Sequence, residues 1–323
     1  MAFSNILPDP VNKITEAGVV DNSTGNAGPG FANVALRSVQ ETQVSRTRTG
    51  RGVTRSQGGQ YWEFDIKYNE MTRDQFEPVY SFLLSRNGRK SPFFVALPQY
   101  ASSRSTAFAA IAAANTIWVK TAASAGASNI TVKNLNMGSA APKQGDLFNI
   151  TDVNDTNHTK AYRITRVESD TVYETAGLAS TERRIWFTPP LSRDVATGLD
   201  TVTSTSVSNP TFTKAGHGLT TGQKIRAVSG LTGGLTADTI YFVSSAGLTA
   251  NTFRLTTTDA FAVAGTNSVT LTNTTNTTFQ PSPTELVMTN PLIRCILRSD
   301  IQEHELDTNN LYEFSLSLEE IEP

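Results

Sequence analysis

The run Arg46-Thr-Arg-Thr-Gly-Arg-Gly-Val-Thr-Arg55 carries four guanidinium groups and no carboxylate. Guanidinium forks match the oxygens of phosphates and carboxylates, so such a run can hold a phosphate, sit in solvent, or pair with acidic side chains across a protein interface. Its glycines complete neither a Gly-Lys-Ser/Thr phosphate loop nor a dinucleotide turn, which needs a strand before it and a helix after it. No aromatic residue interleaves the arginines, which argues against stacking recognition of single strands. Asp152-Val-Asn-Asp-Thr-Asn157 spaces oxygen side chains as calcium loops do. It lacks the sixth-position glycine and the distal glutamate of that pattern, and reads as a turn between strands.

His158, His217 and His304 lie far apart, and Cys295 is the single cysteine. A multi-cysteine metal site and an intramolecular disulfide are thereby excluded, and no cofactor or metal is expected. His217, inside Gly-His-Gly, reads as a turn or packing residue. Cys295, between Arg294 and Ile296 in an apolar strand pattern, reads as a buried small side chain. Nothing local sets a nucleophile beside a base or pairs carboxylates, so the sequence predicts no enzyme. The acidic end, Glu319-Glu320-Ile-Glu322, reads as a solvated terminus or as a tail that pairs with basic residues on a neighbour. Tyr241 and Phe242, with His217, are the candidates for contact with a glycan.

Lys+Arg 27 against Asp+Glu 29 gives a formal charge of −2 over 323 residues, which removes any whole-chain case for nucleic-acid coating or polybasic membrane binding. No apolar run reaches the ~18 residues that cross a bilayer. Met1 to Asp9 lacks the basic and apolar regions of a signal peptide, so export by that route is not expected.

The elements that must position these residues are mostly strands. Trp62, Phe64, Ile66 and Tyr68 alternate with Glu63, Asp65 and Lys67, the period of a strand with one buried face. Thr72 followed by Gln75 forms a capping box, and Phe76, Val79, Tyr80, Phe82 and Leu83 recur at helical spacing until Asn87-Gly88; this is the one long helix expected. Pro78 either sits where its missing N–H costs little or moves the helix start a residue or two later. Ser91–Pro98 is a strand bounded by prolines. Short strands follow at Ile117–Lys120, Ile130–Lys133, Phe148–Thr151, Lys160–Val167 and Ile185–Thr188, as in a sandwich or barrel. Ala107–Ala114 is either a short helix or a linker.

After Asp200 the composition turns to Thr, Ser and Asn. Strands are expected there at Lys224–Val228, Ile240–Ser244, Thr252–Thr256 and Val269–Thr272, with Phe212–Gly222 before them. Pro291–Arg298 and Tyr312–Leu318 resume the earlier style. The fold class expected is mainly β: a sandwich or barrel-like domain with one main helix over 34–200 and 285–323, a small inserted all-β module over 201–284, and an N-terminal arm over 1–33 whose turn-rich stretch Asp21–Gly30 is expected to be a mobile arm or loop.

Arg55-Ser-Gln-Gly-Gly-Gln-Tyr-Trp-Glu-Phe-Asp, Met71-Thr-Arg-Asp-Gln-Phe, Phe82-Leu-Leu-Ser-Arg-Asn-Gly and Phe93-Phe-Val-Ala-Leu-Pro98, in that order, resemble distal tail and baseplate proteins of tailed bacteriophages. The likeness continues through Gly145-Asp-Leu-Phe-Asn-Ile, Ile185-Trp-Phe-Thr-Pro-Pro and Leu311-Tyr-Glu-Phe-Ser-Leu. The resemblance implies a virion protein made in the host cytoplasm that forms a ring, commonly hexameric, joining the tail tube protein to the baseplate hub or tail fibre proteins. It implies no membrane and no sequence-specific nucleic acid. On that reading Arg46, Arg48, Arg51 and Arg55 pair with acidic side chains of a neighbouring subunit or tube protein. The segment Gly216–Gly222 with Ile240–Val243 looks like a β module found inserted in phage structural proteins. A carbohydrate-binding accessory protein contacting the host through that module is the alternative.

Overall fold

A computed structural model describes residues 4–15, 17–56, 59–134, 136–152, 157–172, 177–195, 200–206, 210–281, 283–301, 303–307 and 309–322. The protein is mainly β, as its composition and periodicity imply. None of its described helices is long and apolar enough to cross a membrane. It forms two compact units: the first comprises Met1–Ser102, Thr159–Tyr162 and Thr289–Pro323, the second Ser103–His158 and Arg163–Met288. This division differs from the one expected, because the region 34–200 contributes to two separate cores.

In the first unit the described residues before 31 are built in, where a mobile arm or loop is expected over Asp21–Gly30. Leu7 is fully buried, and residues 5–7 run beside Phe94 with Leu7 N–H donating to Phe94 O at 2.8 Å and Phe94 N–H to Asn5 O at 2.7 Å. Asp9 accepts from the Val11 and Asn12 N–H groups at 2.7 and 2.6 Å, so the turn residues close local hydrogen bonds. Strand β1 (Phe31–Val39) leads into β2 (Thr42–Arg46) and β3 (Gly52–Ser56), then β4 (Tyr61–Tyr68), where Trp62, Phe64, Ile66 and Tyr68 are all buried. Helix α1 (Arg73–Ser85) begins at Thr72, whose N–H donates to Gln75 Oε1 at 3.2 Å. Pro78 lies within it and withholds one ladder donor, so the helix does not start late. Asn87 and Gly88 at φ 55° and 66° end it. Strand β5 is Phe93–Ala96.

The second unit opens with α2 (Thr106–Ala114), which resolves the alanine-rich stretch as a helix; Ser105 caps it and Phe108 is its buried anchor. Strands β6 (Ile117–Val119), β7 (Asn129–Lys133), β8 (Leu147–Asp152), β9 (Ala161–Glu168) and β10 (Glu182–Thr188) match the expected series. The candidate calcium-like turn after Asp152 falls largely at 153–156, outside the described residues. Next come β11 (Asp200–Ser206), β12 (Thr211–Thr213), β13 (Lys224–Ser229), β14 (Ile240–Val243), β15 (Thr252–Phe253), β16 (Leu255–Thr256), α3 (Asp259–Ala264) and β17 (Asn276–Gln280). Val269–Thr272 is not a strand. It makes separate backbone contacts, Val269 N–H to Leu255 O at 2.7 Å and Thr272 N–H to Gly233 O at 2.8 Å. Strand β18 (Thr284–Val287) then enters between β6 and β8 and completes a closed barrel in the order β10-β7-β6-β18-β8-β9.

Strands β11 to β17 form a seven-stranded sheet of their own, in the order β15-β12-β11-β17-β13-β14-β16. Its core joins Val202, Phe212, Ile225, Tyr241, Val243, Phe253, Leu271 and Phe279. Both faces of so small a sheet cannot be covered from within, so this apolar set is concentrated on one face and the exposed positions carry the Thr and Asn that dominate the composition.

The chain ends in the first unit with β19 (Leu292–Leu297), β20 (His304–Leu306) and β21 (Tyr312–Glu320). The sheet order is β1-β4-β21-β19-β5, and β20 pairs with β21 beyond the end of β19. Phe76 of α1 stacks on Tyr312 with ring centroids 4.5 Å apart and meets Phe314 edge-on at 5.6 Å, which seats the helix on the sheet.

Candidate functional site

Strands β2 and β3 pair with each other and, among the described residues, with no other strand. Their register runs from Thr42↔Ser56 to Arg46↔Gly52. The tip is closed by Thr47 N–H to Arg51 O and Gly50 N–H to Thr47 O, both at 2.9 Å, with Gly50 at φ 82° where a side chain would be strained. Every residue from Glu41 to Arg55 is exposed, including Val44 at 63% and Val53 at 52%. Alternation puts Arg46 on the same face as Val44 and Thr54, while Arg55 shares the other face with Gln43 and Val53. Arg48 lies in the tip between the strands, and Arg51 lies at its end. The four arginines therefore do not converge on one phosphate-sized point. They spread a charge of +4 over both sides of a ribbon, and among the described residues none of them makes an ion pair. A two-stranded hairpin without a third element is at best marginally stable in water.

The outward face of the first unit's sheet is largely charge-balanced. Arg37 meets Asp65 at 2.7 Å, Arg298 meets Glu63 at 3.2 Å, and Arg89 meets Glu319 at 2.9 Å. The exception is the β20–β21 corner. Glu305 and Glu313 are direct cross-strand partners, both exposed, and Glu303 precedes them. Like charges opposite each other in an antiparallel pair are destabilising. Among the described residues none of these three glutamates has a cationic partner.

The acidic chain end is not a solvated tail. Glu320 is 7% exposed; Lys160 Nζ meets its Oε2 at 2.8 Å and Glu322 Oε1 at 3.5 Å, and donates to Gln60 O at 2.9 Å. Glu320 also accepts from Trp62 N–H at 3.2 Å and Ala161 N–H at 3.1 Å. Burial pushes the Glu320 carboxyl up, while the Lys160 ammonium and the two N–H groups pull it back. The alternation of β21 could have announced this, since Glu320 continues the inward series Phe314, Leu316, Leu318.

The proposed glycan contacts do not form a platform. Tyr241 is 4% exposed within the module core, and its hydroxyl accepts from Thr236 N–H at 3.0 Å. Phe242 is half-buried and alternates to the opposite face. His217 packs edge-on against Phe253 at 5.2 Å and its Nδ1 accepts from Leu219 N–H at 3.0 Å, the turn-and-packing role expected of it. Cys295 is fully buried with its thiol 3.5 Å from Phe93 O, and burial pushes that thiol up. His304 packs against Phe76, Tyr80 and Tyr312.

Sequence reasoning missed Arg226. This guanidinium is 1% exposed: Nη1 donates to Asp238 Oδ1 at 2.7 Å, and Nε and Nη2 donate to Gln280 Oε1 at 2.9 and 2.6 Å. It lies 4.7 Å over the ring of Trp118 on β6, and Lys133 of β7 stands 3.8 Å from Asp238 Oδ2. Burial pushes its pKa down to about 10, with Asp238 drawing it back up, so it stays charged at neutral pH. The module is thus fastened to the barrel by a charged, hydrogen-bonded node. No sequence signal marked it: Arg226 alternates with the core-facing Ile225 and Ala227, so by register it reads as an outward, solvated charge, and only the packing of that face against Trp118 buries it.

Compared with models of known protein families and with curated proteins, the chain matches none.

Proposed function

We propose that the chain is a structural, non-enzymatic protein of a bacteriophage tail tip or baseplate, made in the host cytoplasm and carried in the virion. It assembles as a ring, hexameric on the resemblance, that connects the tail tube to the hub or fibres. The observation that carries this reading is the β2–β3 ribbon: exposed from Glu41 to Arg55, and, among the described residues, bearing four arginines without an ion pair and pairing with no third strand. Such a ribbon gains stability by docking on a neighbour, and a contact between two different patches of identical subunits closes into a ring when its rotation permits. The ordered run of motifs from Arg55 to Pro98 and from Leu311 to Glu320 supports the same reading. The mainly β fold is compatible with it. Glycan binding by the module is the weaker alternative, because Tyr241 is enclosed in the module core.

Light scattering of the full chain over a range of concentrations, with negative-stain images of the same sample, tests the proposal. A closed ring of about six copies is the expected result. A mass that stays at one chain, 34.9 kDa, at every concentration counts against it.

A further inference from the structure

Among the described residues the ribbon's four arginines make no ion pair, and neither do three glutamates at one corner of the same unit's sheet. Resting on the ring reading above, we infer that the β2–β3 ribbon of one copy docks on the β20–β21 corner of the next copy, with its arginines against Glu303, Glu305 and Glu313.

Three observations converge on that corner. Among the described residues strand β20 pairs on one side only, with β21, so the N–H and C=O groups of its other side are open to strand addition. All three of its residues are exposed, which leaves the edge accessible. Glu305 and Glu313 face each other across the ladder, a repulsion that an incoming guanidinium converts into attraction. The sheet's other open edge, β1, lacks this complementarity, since its outward-facing Arg37 is already engaged by Asp65. The edge at β5 is occupied by residues 5–7. The two faces of the ribbon each present arginine, so one face can meet the glutamates while the tip residues Arg48 and Arg51 reach past the corner.

The contact is head to tail, so charge reversal tests it with a mixing experiment. One variant carries Arg46→Glu, Arg48→Glu, Arg51→Glu and Arg55→Glu; the other carries Glu303→Lys, Glu305→Lys and Glu313→Lys. All seven side chains are exposed, and circular dichroism checks that each full-length variant folds. Each variant alone is expected to associate at least about tenfold more weakly than the wild type. An equimolar mixture is expected to recover assembly with the two variants alternating, because every ribbon then meets an edge of opposite charge. If the wild type oligomerises and either reversal leaves it undiminished, or the mixture fails to recover, the docking is overturned while the ring reading stands. If the wild type never oligomerises, both are overturned. If only the tail tube protein restores association to both variants, the partner is that protein and the self-contact is refuted.

Discussion

Replacing Lys160 by methionine isolates the energetics of the sealed chain end. The ammonium and the Glu320 carboxylate are 8% and 1% exposed and 2.8 Å apart. At an effective dielectric of about 20 their attraction is ~6 kcal/mol, against a desolvation penalty of several kcal/mol per ion, so the intact pair is close to neutral. Methionine fills a similar volume but strands the carboxylate, for which breaking a buried pair costs about 3–5 kcal/mol. The Trp62 and Ala161 N–H groups remain as donors, which places the expected loss near the lower end of that range. Without the ammonium the Glu320 carboxyl rises further above its ordinary value. A carboxyl whose folded pKa is raised stabilises the fold fully below its unfolded pKa and loses that contribution as pH climbs through the folded one. Lowering the pH from 7 towards 5 is therefore expected to narrow the gap between the variant and the wild type. The assay is urea unfolding read by Trp62 fluorescence in a background carrying Trp118→Phe and Trp186→Phe, since those two tryptophans lie in the second unit. The double variant Lys160→Met, Glu320→Gln removes the stranded charge and is expected to be more stable than Lys160→Met alone. A loss below about 1 kcal/mol, or a double variant no better than the single one, would refute the reasoning.

Three further outcomes are expected. Arg226→Met leaves Asp238 and Gln280 without their buried donor and is expected to cost about 3 kcal/mol, seen as a lower thermal transition and faster proteolysis between residues 200 and 280. Gly234→Ala is expected to cost about 2–4 kcal/mol by denaturant titration, because φ is 100° and the added Cβ would lie 2.0 Å from Thr270 O. Tyr241→Phe removes the acceptor for the Thr236 N–H and is expected to lower module stability by about 1 kcal/mol. On a glycan array the Tyr241→Phe variant should match the wild type; a selective loss of glycan signal there would revive the carbohydrate-binding alternative.

Where periodicity was strong, the sequence was informative. The β4 alternation, the Thr72–Ser85 helix with its Asn87-Gly88 stop, the barrel strands β6 to β10 and the strand ending at Glu320 lie where their patterns place them. Strands β11, β17 and β18 were not legible, because runs such as Asp200-Thr-Val-Thr and Asn276-Thr-Thr-Phe have polar side chains on both faces and depend on neighbours for their pairing. Loop composition misled at the N-terminus: Asn, Asp and Gly do mark turns there, but Leu7 and Ile14 anchor those turns in the core. The arginine run was visible as charge, whereas its division between two faces of a ribbon depends on register. Its counterpart was invisible, since Glu305 and Glu313 become neighbours only when β20 folds back on β21.

The strands that open and close the seven-stranded module lie side by side, with Asp200 opposite Phe279 and Val202 opposite Thr277. Entry and exit of some eighty residues are therefore separated by about 5 Å, one strand spacing. A segment whose ends meet is a cassette: shortening, enlarging or replacing it leaves the connection between β10 and β18 the same length, and with it the closure of the barrel. The host scaffold can in this way exchange its ornament without relearning how to fold, and Arg226 marks the latch that any replacement would have to supply or do without.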